Sequence, residues 1–422
     1  MQRAIAAATS LLVVIAALPA CSGQSAKVVP PSHRAAASCY TLHPQSPASR
    51  TIVEDRDIDK YIASDLPPDE RAMMHKVMLT LHKTDRTHVM FFAENGRNYA
   101  NSIALRNTMA RAVRVAPDSA QYRLPNGHLL TMPVEDLKRP ANLEPGDYSG
   151  ALHLQGAGIP SPYPGTGAYR RVVAPPGYNE ITGNVVVPCA VSYQADGEAG
   201  TVMFGGWGAG SGVGEAVDAG MSYYTPNGQF SVHPDYGSKD NLGVFILDNG
   251  QVDGTYQDAS NNTVSGAPAH IWCDANAVDY MDFYISSPGM LVIAVSGVVE
   301  DGTQEDVTAV KDRTSAANAW PTDGGGPTSG VRLKRFTGLA QRQGFENTSD
   351  GAWFGVDPNN NWAPLIHWSQ IQLYNSTGFY NWDSTIPARY ETYPSCGAVR
   401  LNNTAGLDKS YDEYNGIADI CT

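Results

Sequence analysis

Residues 200–224 read GTVMFGGWGAGSGVGEAVDAGMSYY, with two runs of alternating residues on either side of a glycine-rich stretch. Alternation with a period of two is typical of β-strands, whose successive side chains point to opposite faces. No strand–helix–strand pattern and no Gly-Lys-Ser/Thr motif accompany the glycines, which argues against a phosphate-binding loop. We therefore interpret this stretch as β-strands with a glycine-rich loop between them.

The same kind of pattern continues along the chain from about residue 141. Short apolar or alternating runs recur between Gly, Pro, Asn and Asp residues, without helical periodicity. These runs are Gly183–Val187, Gly200–Phe204, Glu215–Tyr224, Leu242–Leu247, Asp282–Ile285, Met290–Val299, Val331–Ala340 and Leu365–Leu373. Many short strands without helices between them predict a mainly β fold, an antiparallel β-sandwich or jelly roll of concanavalin-like type.

Residues 51–140 have a different pattern. Prolines and acidic residues within Asp65–Glu70 are typical of the first turn of a helix, and apolar residues follow at helical spacing. His88–Ala93 predicts a strand, and Ser102–Val115 predicts a second helix. We therefore expect a small α+β domain over 51–140, followed by an acidic β-sandwich domain over 141–422.

The N-terminal residues 1–21, MQRAIAAATSLLVVIAALPAC, are typical of a secretion signal. One basic residue precedes an apolar stretch that is too short to span a bilayer. A small residue directly before Cys21 resembles the lipobox of bacterial lipoproteins, which implies cleavage there and lipidation of Cys21. Residues 22–50, rich in Ser, Ala and Pro, predict a flexible tether. We expect an extracytoplasmic protein, either secreted or held to a membrane only through a lipid at Cys21.

The charge is unevenly distributed along the chain. Residues 50–140 hold 14 Lys and Arg against 12 Asp and Glu, whereas residues 141–422 hold 12 against 30, a balance of −18. A surface that acidic repels phosphate backbones, so we expect no nucleic-acid partner. Such a surface is suited to attracting divalent cations or basic polymers; the alternative is that it only keeps an exported protein soluble.

Six cysteines are present. If Cys21 carries a lipid, five remain, and at least one of them has no partner within the chain. We predict that one disulfide closes the C-terminal tail and that a second lies within the sandwich, which leaves Cys39 in the tether. The predicted pairs are Cys396 with Cys421 and Cys189 with Cys273.

No Cys-x-x-Cys motif and no His/Cys cluster indicates zinc, so the sequence predicts no metal site and no cofactor. A structural calcium ion stays open, because Asp248–Gly254 and Asp357–Asn361 are loops rich in side-chain oxygens. Ordinary turn chemistry explains Asp, Asn and Gly in such loops equally well.

The strand Glu215–Tyr224 carries the candidate for a catalytic residue. Asp218 and Tyr224 share one face with small residues, an arrangement that suits a concave binding surface. The alternative places Val217 and Met221 in the core and gives Asp218 a hydrogen-bonded structural role.

Tryptophans in or beside the predicted loops are candidates for stacking on sugar rings, although tryptophan is more often part of the core. These tryptophans are Trp207, Trp353, Trp362 and Trp368. The candidate ligand-binding residues are Trp207, Asp218, Tyr224, Trp353 and Trp362.

Two resemblances extend this interpretation. The order GGWG…EAVDAGMSYY…DNLGVFI, followed by GVRLKRFTGLAQ…GAWFGV…HWSQIQL, resembles the YrpD-like family of secreted bacterial proteins over about residues 200–375. That resemblance implies an exported β-sandwich of unestablished activity. The glutamic peptidases, also jelly-roll proteins, pair a Glu with Gln or a second Glu on a concave sheet. Glu215 and Asp218 have opposite strand parity and cannot form such a pair, whereas Asp218 with Asp282 or Glu300 stays open.

Three functions follow as hypotheses. The first is binding of an extracellular ligand, a glycan or a protein, by aromatic and carboxylate side chains on a face bordered by loops. The second is hydrolysis of the glutamic-peptidase or glycosidase type on a concave face. The third is a structural or adhesion role. The sequence lacks G-x-S-x-G and H-E-x-x-H motifs and leaves open whether the protein is an enzyme.

Overall fold

The described part of the chain consists mainly of β-strands. The structure is a computed structural model. It describes residues 50–132 except 117–118, 126 and 128, then 166–186, 191–192, 199–208, 216–224, 242–256 except 249, 278–298, 303–340 except 315–318, 353–354, 366–393 except 383–385 and 387–388, 399–404 and 410–415.

Two α-helices lie in the first part of the chain, α1 at Pro68–Met78 and α2 at Ile103–Thr108, with 3₁₀ turns at Asp55–Lys60 and Lys83–Asp85. The strands are β1 (His88–Phe92), β2 (Asn98–Ala100), β3 (Met109–Arg114), β4 (Gln121–Arg123), β5 (Leu129–Thr131), β6 (Thr166–Val173), β7 (Glu180–Val186), β8 (Val191–Ser192), β9 (Ala199–Trp207), β10 (Ala216–Tyr224), β11 (Leu242–Asp248), β12 (Gln251–Tyr256), β13 (Asp279–Ser287), β14 (Met290–Val298), β15 (Gln304–Asp312), β16 (Arg332–Ala340), β17 (Trp353–Phe354), β18 (Ile366–Asn375), β19 (Gly378–Asn381), β20 (Arg389–Tyr393), β21 (Val399–Thr404) and β22 (Ser410–Asn415).

These strands form two large sheets. The first sheet has the order β2-β1-β15-β14-β13-β7-β18-β22-β17-β8, with β19 beside β18 and β21 beside β22. The second sheet has the order β20-β6-β16-β9-β10-β11-β12-β3-β4-β5. Every pairing among the described strands is antiparallel except that of β1 with β15, which is parallel. The predicted mainly β sandwich is confirmed, and all eight predicted runs coincide with strands.

Alternating side chains of the two sheets meet in one apolar core. From the second sheet, β9 and β10 contribute Val202, Phe204 and Val217, and β14 of the first sheet contributes Leu291 and Ile293. The even-numbered residues Met290 and Val292 of β14 are buried on its other side, so the run 290–295 is apolar throughout rather than alternating. A strand that is covered on both faces has this composition.

Helix α1 and the preceding turn cover that other side. We use the term helical segment for residues 55–85, which hold α1 and the two 3₁₀ turns. Ile58, Met74 and Met78 of this segment pack with Tyr284 and Val292 of the first sheet in a second apolar core. We use the term outer face for the side of the first sheet that points away from the second sheet.

The separate α+β domain expected over 51–140 has a different organisation. Its first helix is present and its second is limited to Ile103–Thr108, but β1 pairs with β15 in the first sheet and β3 pairs with β12 in the second. Strand β1 alternates between the two cores, with Met90 and Phe92 in one and Phe91 in the other. The segment therefore completes both sheets, because its strands have no sheet of their own in which to satisfy their backbone groups.

Glycines within β9 and β10 let the two backbones approach closely. A Cβ atom on Gly205 would lie 2.1 Å from the carbonyl oxygen of Val217, and one on Gly220 would lie 2.1 Å from that of Val202. These glycines therefore serve strand packing. Among the described residues, no helix combines the length and the apolar character needed to cross a bilayer.

Candidate functional site on the outer face of the first sheet

Two cross-strand rows of side chains run over the outer face through β19, β18, β7 and β13. Strand register places them directly opposite one another, and core residues such as Ile181 and Leu373 alternate with them and point inward. One row is Phe379, Tyr374, Glu180 and Tyr284, and the other is Asn381, Gln372, Thr182 and Asp282. We name these eight residues the outer strip. Three interstrand spacings make it about 14 Å wide.

His82 lies over the β13 end of the outer strip. It follows α1 and precedes the 3₁₀ turn Lys83–Asp85. Its backbone N–H donates to the hydroxyl of Tyr284 at 3.1 Å, and its ring stacks on the Tyr284 ring with centroids 4.0 Å apart and planes 6° from parallel. Arg86, which is buried, donates to the carbonyl oxygens of Leu81 and Val53 and so fixes the loop that carries His82.

Three carboxyl groups surround the imidazole of His82. Its Nδ1 lies 3.3 Å from Asp282 Oδ2 and 3.8 Å from Asp85 Oδ2, and its Nε2 lies 3.7 Å from Glu180 Oε2. Asp85 and Asp282 are buried, whereas the side chain of His82 is 43% exposed. The cluster therefore borders solvent through the imidazole.

Arg50 supplies the compensating positive charge. Its guanidinium donates to Asp85 Oδ1 and, at 2.8 Å, to Asp306 Oδ1, and it lies 4.7 Å from the centre of the Tyr280 ring. Asp85 Oδ2 accepts a hydrogen bond from the Tyr284 hydroxyl at 2.9 Å. Ionic pairing of this kind holds buried carboxylates that would otherwise be costly to desolvate.

Crowding of acids in a poorly solvated place shifts their titration. Burial, together with the charge of Asp282, raises the pKa of Glu180 to about 8. Burial raises the pKa of Asp282 to about 6, with the charge of Asp85 adding to the rise while His82 and Arg50 oppose it. Burial by itself lowers the pKa of His82, but its hydrogen bond to Asp282 and the surrounding carboxylates raise that pKa to about 9. At neutral pH, His82 is therefore charged and Glu180 largely protonated.

Asp218, the candidate catalytic residue from the sequence, lies on the far side of the second sheet. It is buried, and its Oδ1 lies 2.8 Å from Nζ of Lys334. Val217 and Met221 point the other way, into the core, which agrees with the structural alternative. Asp282 faces outward from the first sheet, so both sheets lie between the two acids and they do not form a pair.

The tryptophans that the structure describes with side chains are buried. Trp207 has no exposed surface, with Lys334 Nζ 4.4 Å and Arg171 Cζ 5.0 Å from its ring centres. Trp368 is also fully buried, and its indole N–H donates to Thr337 Oγ1 at 3.0 Å. Neither ring offers a face to a surface ligand.

The acidic groups of the first candidate calcium loop are occupied by basic side chains. Asp248 lies 3.3 Å from Arg313, and Asp253 contacts Arg111 at 2.7 Å and Lys311 at 2.5 Å. These carboxylates hold the two sheets together.

Several predicted residues lie outside the part of the chain that the structure describes. They are the signal and the tether up to residue 49 with Cys21 and Cys39, the disulfide candidates Cys189, Cys273, Cys396 and Cys421, the acids Glu215 and Glu300, Trp362 and the loop Asp357–Asn361. Tyr224 and Trp353 are placed in β10 and β17, but their side chains are not described.

Sequence reasoning did not find the His82 cluster. The only local signal is the spacing of His82 and Asp85, because a tight turn brings positions i and i+3 together. The sequence offers Asp282 only as a distant partner for Asp218, and it lies 200 positions from His82 along the chain. Only the packing of the helical segment on the first sheet unites them.

No family model matches the chain, and no curated protein matches it. Among solved structures, scytalido-glutamic peptidase with a transition state analog inhibitor is 11% identical, covers 60% of this chain and 98% of its own, and has a TM-score of 0.33. SCP-B, a member of the Eqolisin family of peptidases in complex with the tripeptide Ala-Ile-His, is 8% identical, covers 59% and 98%, and has a TM-score of 0.33. The alginate lyase Aly36B is 14% identical, covers 55% and 86%, and has a TM-score of 0.17. Scores this low carry no argument about function.

Proposed function

We propose that the protein is an exported β-sandwich that binds a glycan on the outer strip. The observation that carries this proposal is the exposure of Phe379, which is 62% accessible to solvent and in the same row as Tyr374 and Glu180. An exposed aromatic ring beside hydrogen-bonding side chains is the combination that sugar rings need, since one sugar face is apolar and its rim is polar.

The side chains near Phe379 already form an ordered network. The rings of Tyr374 and Phe379 have centroids 5.8 Å apart, and the Tyr374 hydroxyl donates to Gln372 Oε1 at 3.0 Å. Gln372 Nε2 in turn donates to Asn381 Oδ1 at 2.9 Å. Groups held in place before a ligand arrives lose less conformational entropy on binding.

The net charge of the protein selects among glycans. The chain as a whole carries a net charge of −13, and Asp282 lies in the outer strip. Anionic polymers such as polyuronates are therefore repelled. Neutral glycans and those that contain amino sugars fit the site.

Export is the second part of the proposal. Its support is the composition of residues 1–21, which has the basic start, short apolar stretch and small residues of a secretion signal. Mass spectrometry of the protein from a bacterial host tests it. Cleavage before Cys21 with added acyl mass is expected for the anchored form, and a retained leader would contradict export.

The binding test uses the neighbouring residues Phe379 and Tyr380, which face opposite sides of β19. Isothermal titration with cellohexaose and a chitosan hexamer is expected to show binding by the parent protein. Phe379→Ala should lower the affinity about tenfold, the equivalent of about 1.4 kcal/mol of lost stacking. Tyr380→Ala, the matched control, should bind like the parent.

Three outcomes contradict the proposal. One is the absence of binding to either glycan, and another is an equal loss of affinity in the two variants. The third is turnover, seen either as new reducing ends released from the two glycans or as peptide fragments released from casein that is incubated with the protein in parallel. That result would replace binding by the hydrolytic hypothesis.

A further inference from the structure

Three potential ligand atoms converge beside the outer strip. His82 Nδ1, one oxygen of Asp85 and one of Asp282 all lie within 4.8 Å of one another. Two atoms that each lie about 2.1 Å from one ion are at most about 4.2 Å apart. The separations of 3.3 and 3.8 Å from Nδ1 to the two carboxylates therefore already suit a shared ion.

The second oxygen of the Asp282 carboxylate, Oδ1, lacks a partner among the described residues. Asp282 itself is 2% exposed. Buried carboxylate oxygens are almost always hydrogen-bonded or bound to a cation, because desolvation without compensation is expensive. A cation at the Asp282 carboxylate supplies that compensation.

The surrounding residues orient these groups as a second shell of ligands does. A metal ion at Nδ1 would displace the proton that Nδ1 carries at neutral pH and leave the remaining proton on Nε2, which faces Glu180 Oε2 at 3.7 Å. The stacked Tyr284 ring fixes the plane of the imidazole. Arg50 binds Asp85 Oδ1, while Oδ2 accepts a hydrogen bond from the Tyr284 hydroxyl and faces the imidazole at 3.8 Å. Metal-binding histidines characteristically have a carboxylate or carbonyl partner at the second nitrogen.

We propose that His82, Asp85 and Asp282 form a site for one divalent transition-metal ion. A mixed set of one imidazole nitrogen and two carboxylate oxygens suits Zn²⁺, and Mn²⁺ or Fe²⁺ less tightly, whereas Ca²⁺ and Mg²⁺ prefer oxygen ligands alone. The partly exposed imidazole leaves a solvent side, from which the ion enters and where water completes its coordination. The inference does not depend on glycan binding.

Zinc titration of the full chain tests the site. Protein treated with EDTA and dialysed is titrated calorimetrically with Zn²⁺, and with Co²⁺ while the visible absorption bands of the bound ion are recorded. One high-affinity ion per chain is expected. Glu180→Gln should weaken binding by about 10–100-fold, and Asp282→Asn and His82→Gln should weaken it further.

A surface pair provides the matched control. His75 Nδ1 lies 2.8 Å from Asp59 Oδ1 on an exposed part of the helical segment, without a third ligand group among the described residues. Asp59→Asn should therefore leave zinc affinity unchanged. Circular dichroism checks that each variant is folded, and His82→Gln, at a half-exposed position, keeps the test valid if Asp282→Asn fails to fold.

Some results would overturn the site. They are no zinc binding by the parent protein, a Co²⁺ spectrum that does not differ from the aqueous ion, or folded His82→Gln protein that binds zinc as the parent does. Loss of binding in Asp59→Asn would place the ion elsewhere and would equally reject the proposal. Because no glycan is present, none of these results bears on the proposed glycan binding.

Discussion

Replacement of Asp253 by Asn should cause a large loss of stability, because this carboxylate joins the two sheets. Asp253 is fully buried in β12 of the second sheet. It accepts hydrogen bonds from Arg111 at 2.7 Å, from Lys311 of the first sheet at 2.5 Å and from Gln251 at 2.6 Å. Asn has nearly the same shape but no charge. Its side-chain NH2 group also replaces one acceptor oxygen, so that N–H donors face the cationic donors of Arg111 and Lys311.

The magnitude follows from which cation can recover its hydration. The side chain of Arg111 is 20% exposed and can turn to water, whereas that of Lys311 is 9% exposed and stays in place. Breaking a buried ion pair costs about 3–5 kcal/mol, mainly through the charge left behind. With one of two cations able to rehydrate, we expect about 3 kcal/mol, which is roughly a hundredfold change in the folding equilibrium.

Urea unfolding followed by tryptophan fluorescence measures this loss. Lys311→Met supplies the decisive comparison, since it removes the stranded cation. The Asp253→Asn/Lys311→Met double variant should be more stable than Asp253→Asn alone. Asp57→Asn, which removes an exposed pair with Lys60, should leave the midpoint unchanged. A loss below about 1 kcal/mol for Asp253→Asn, or additive effects in the double variant, would refute the reasoning.

Three further substitutions test the packing described above by the same unfolding assay. Gly220→Ala should destabilise by more than the roughly 1–3 kcal/mol typical of overpacking, since its Cβ would lie 2.1 Å from a backbone oxygen that cannot move aside; an unchanged midpoint would show that the strands separate easily. Arg86→Met should cost about 1–3 kcal/mol, because buried carbonyl oxygens lose their donors, and the exposed Arg56→Met is its control. Met74→Ala should cost about 2–5 kcal/mol through the cavity left in the second core, and a neutral effect would mean that α1 does not contribute to stability.

Much of the fold could be predicted because its signals are local. Alternation marks β9 and β10 in residues 200–224, and the uninterrupted apolar run of β14 indicates a strand that is buried on both faces. Prolines and acidic residues near Pro68 correctly predicted the start of α1. Each of these patterns reports on the immediate surroundings of a few neighbouring residues.

Other elements depended on partners that lie far away in the sequence. The second helix, predicted over Ser102–Val115, ends at Thr108, and Met109–Arg114 is strand β3. Its backbone pairs with β12, some 140 positions later, so hydrogen bonding to the second sheet overrides the local preference. For the same reason the described strands within residues 51–132 belong to the two sheets rather than to a domain of their own.

The candidate site shows the same division more sharply. The sequence indicated that aromatic and acidic side chains would form the site. The residues that it singled out, Trp207 and Asp218, are however buried in the second sheet. The sequence by itself determined the strands and which residues share a face, since a strand's side-chain period is fixed by its backbone. Only the tertiary structure decided which face met solvent and which distant residues met each other. Contacts such as that of His82 with Asp282 arise from the packing of the helical segment on the first sheet, which no local pattern encodes.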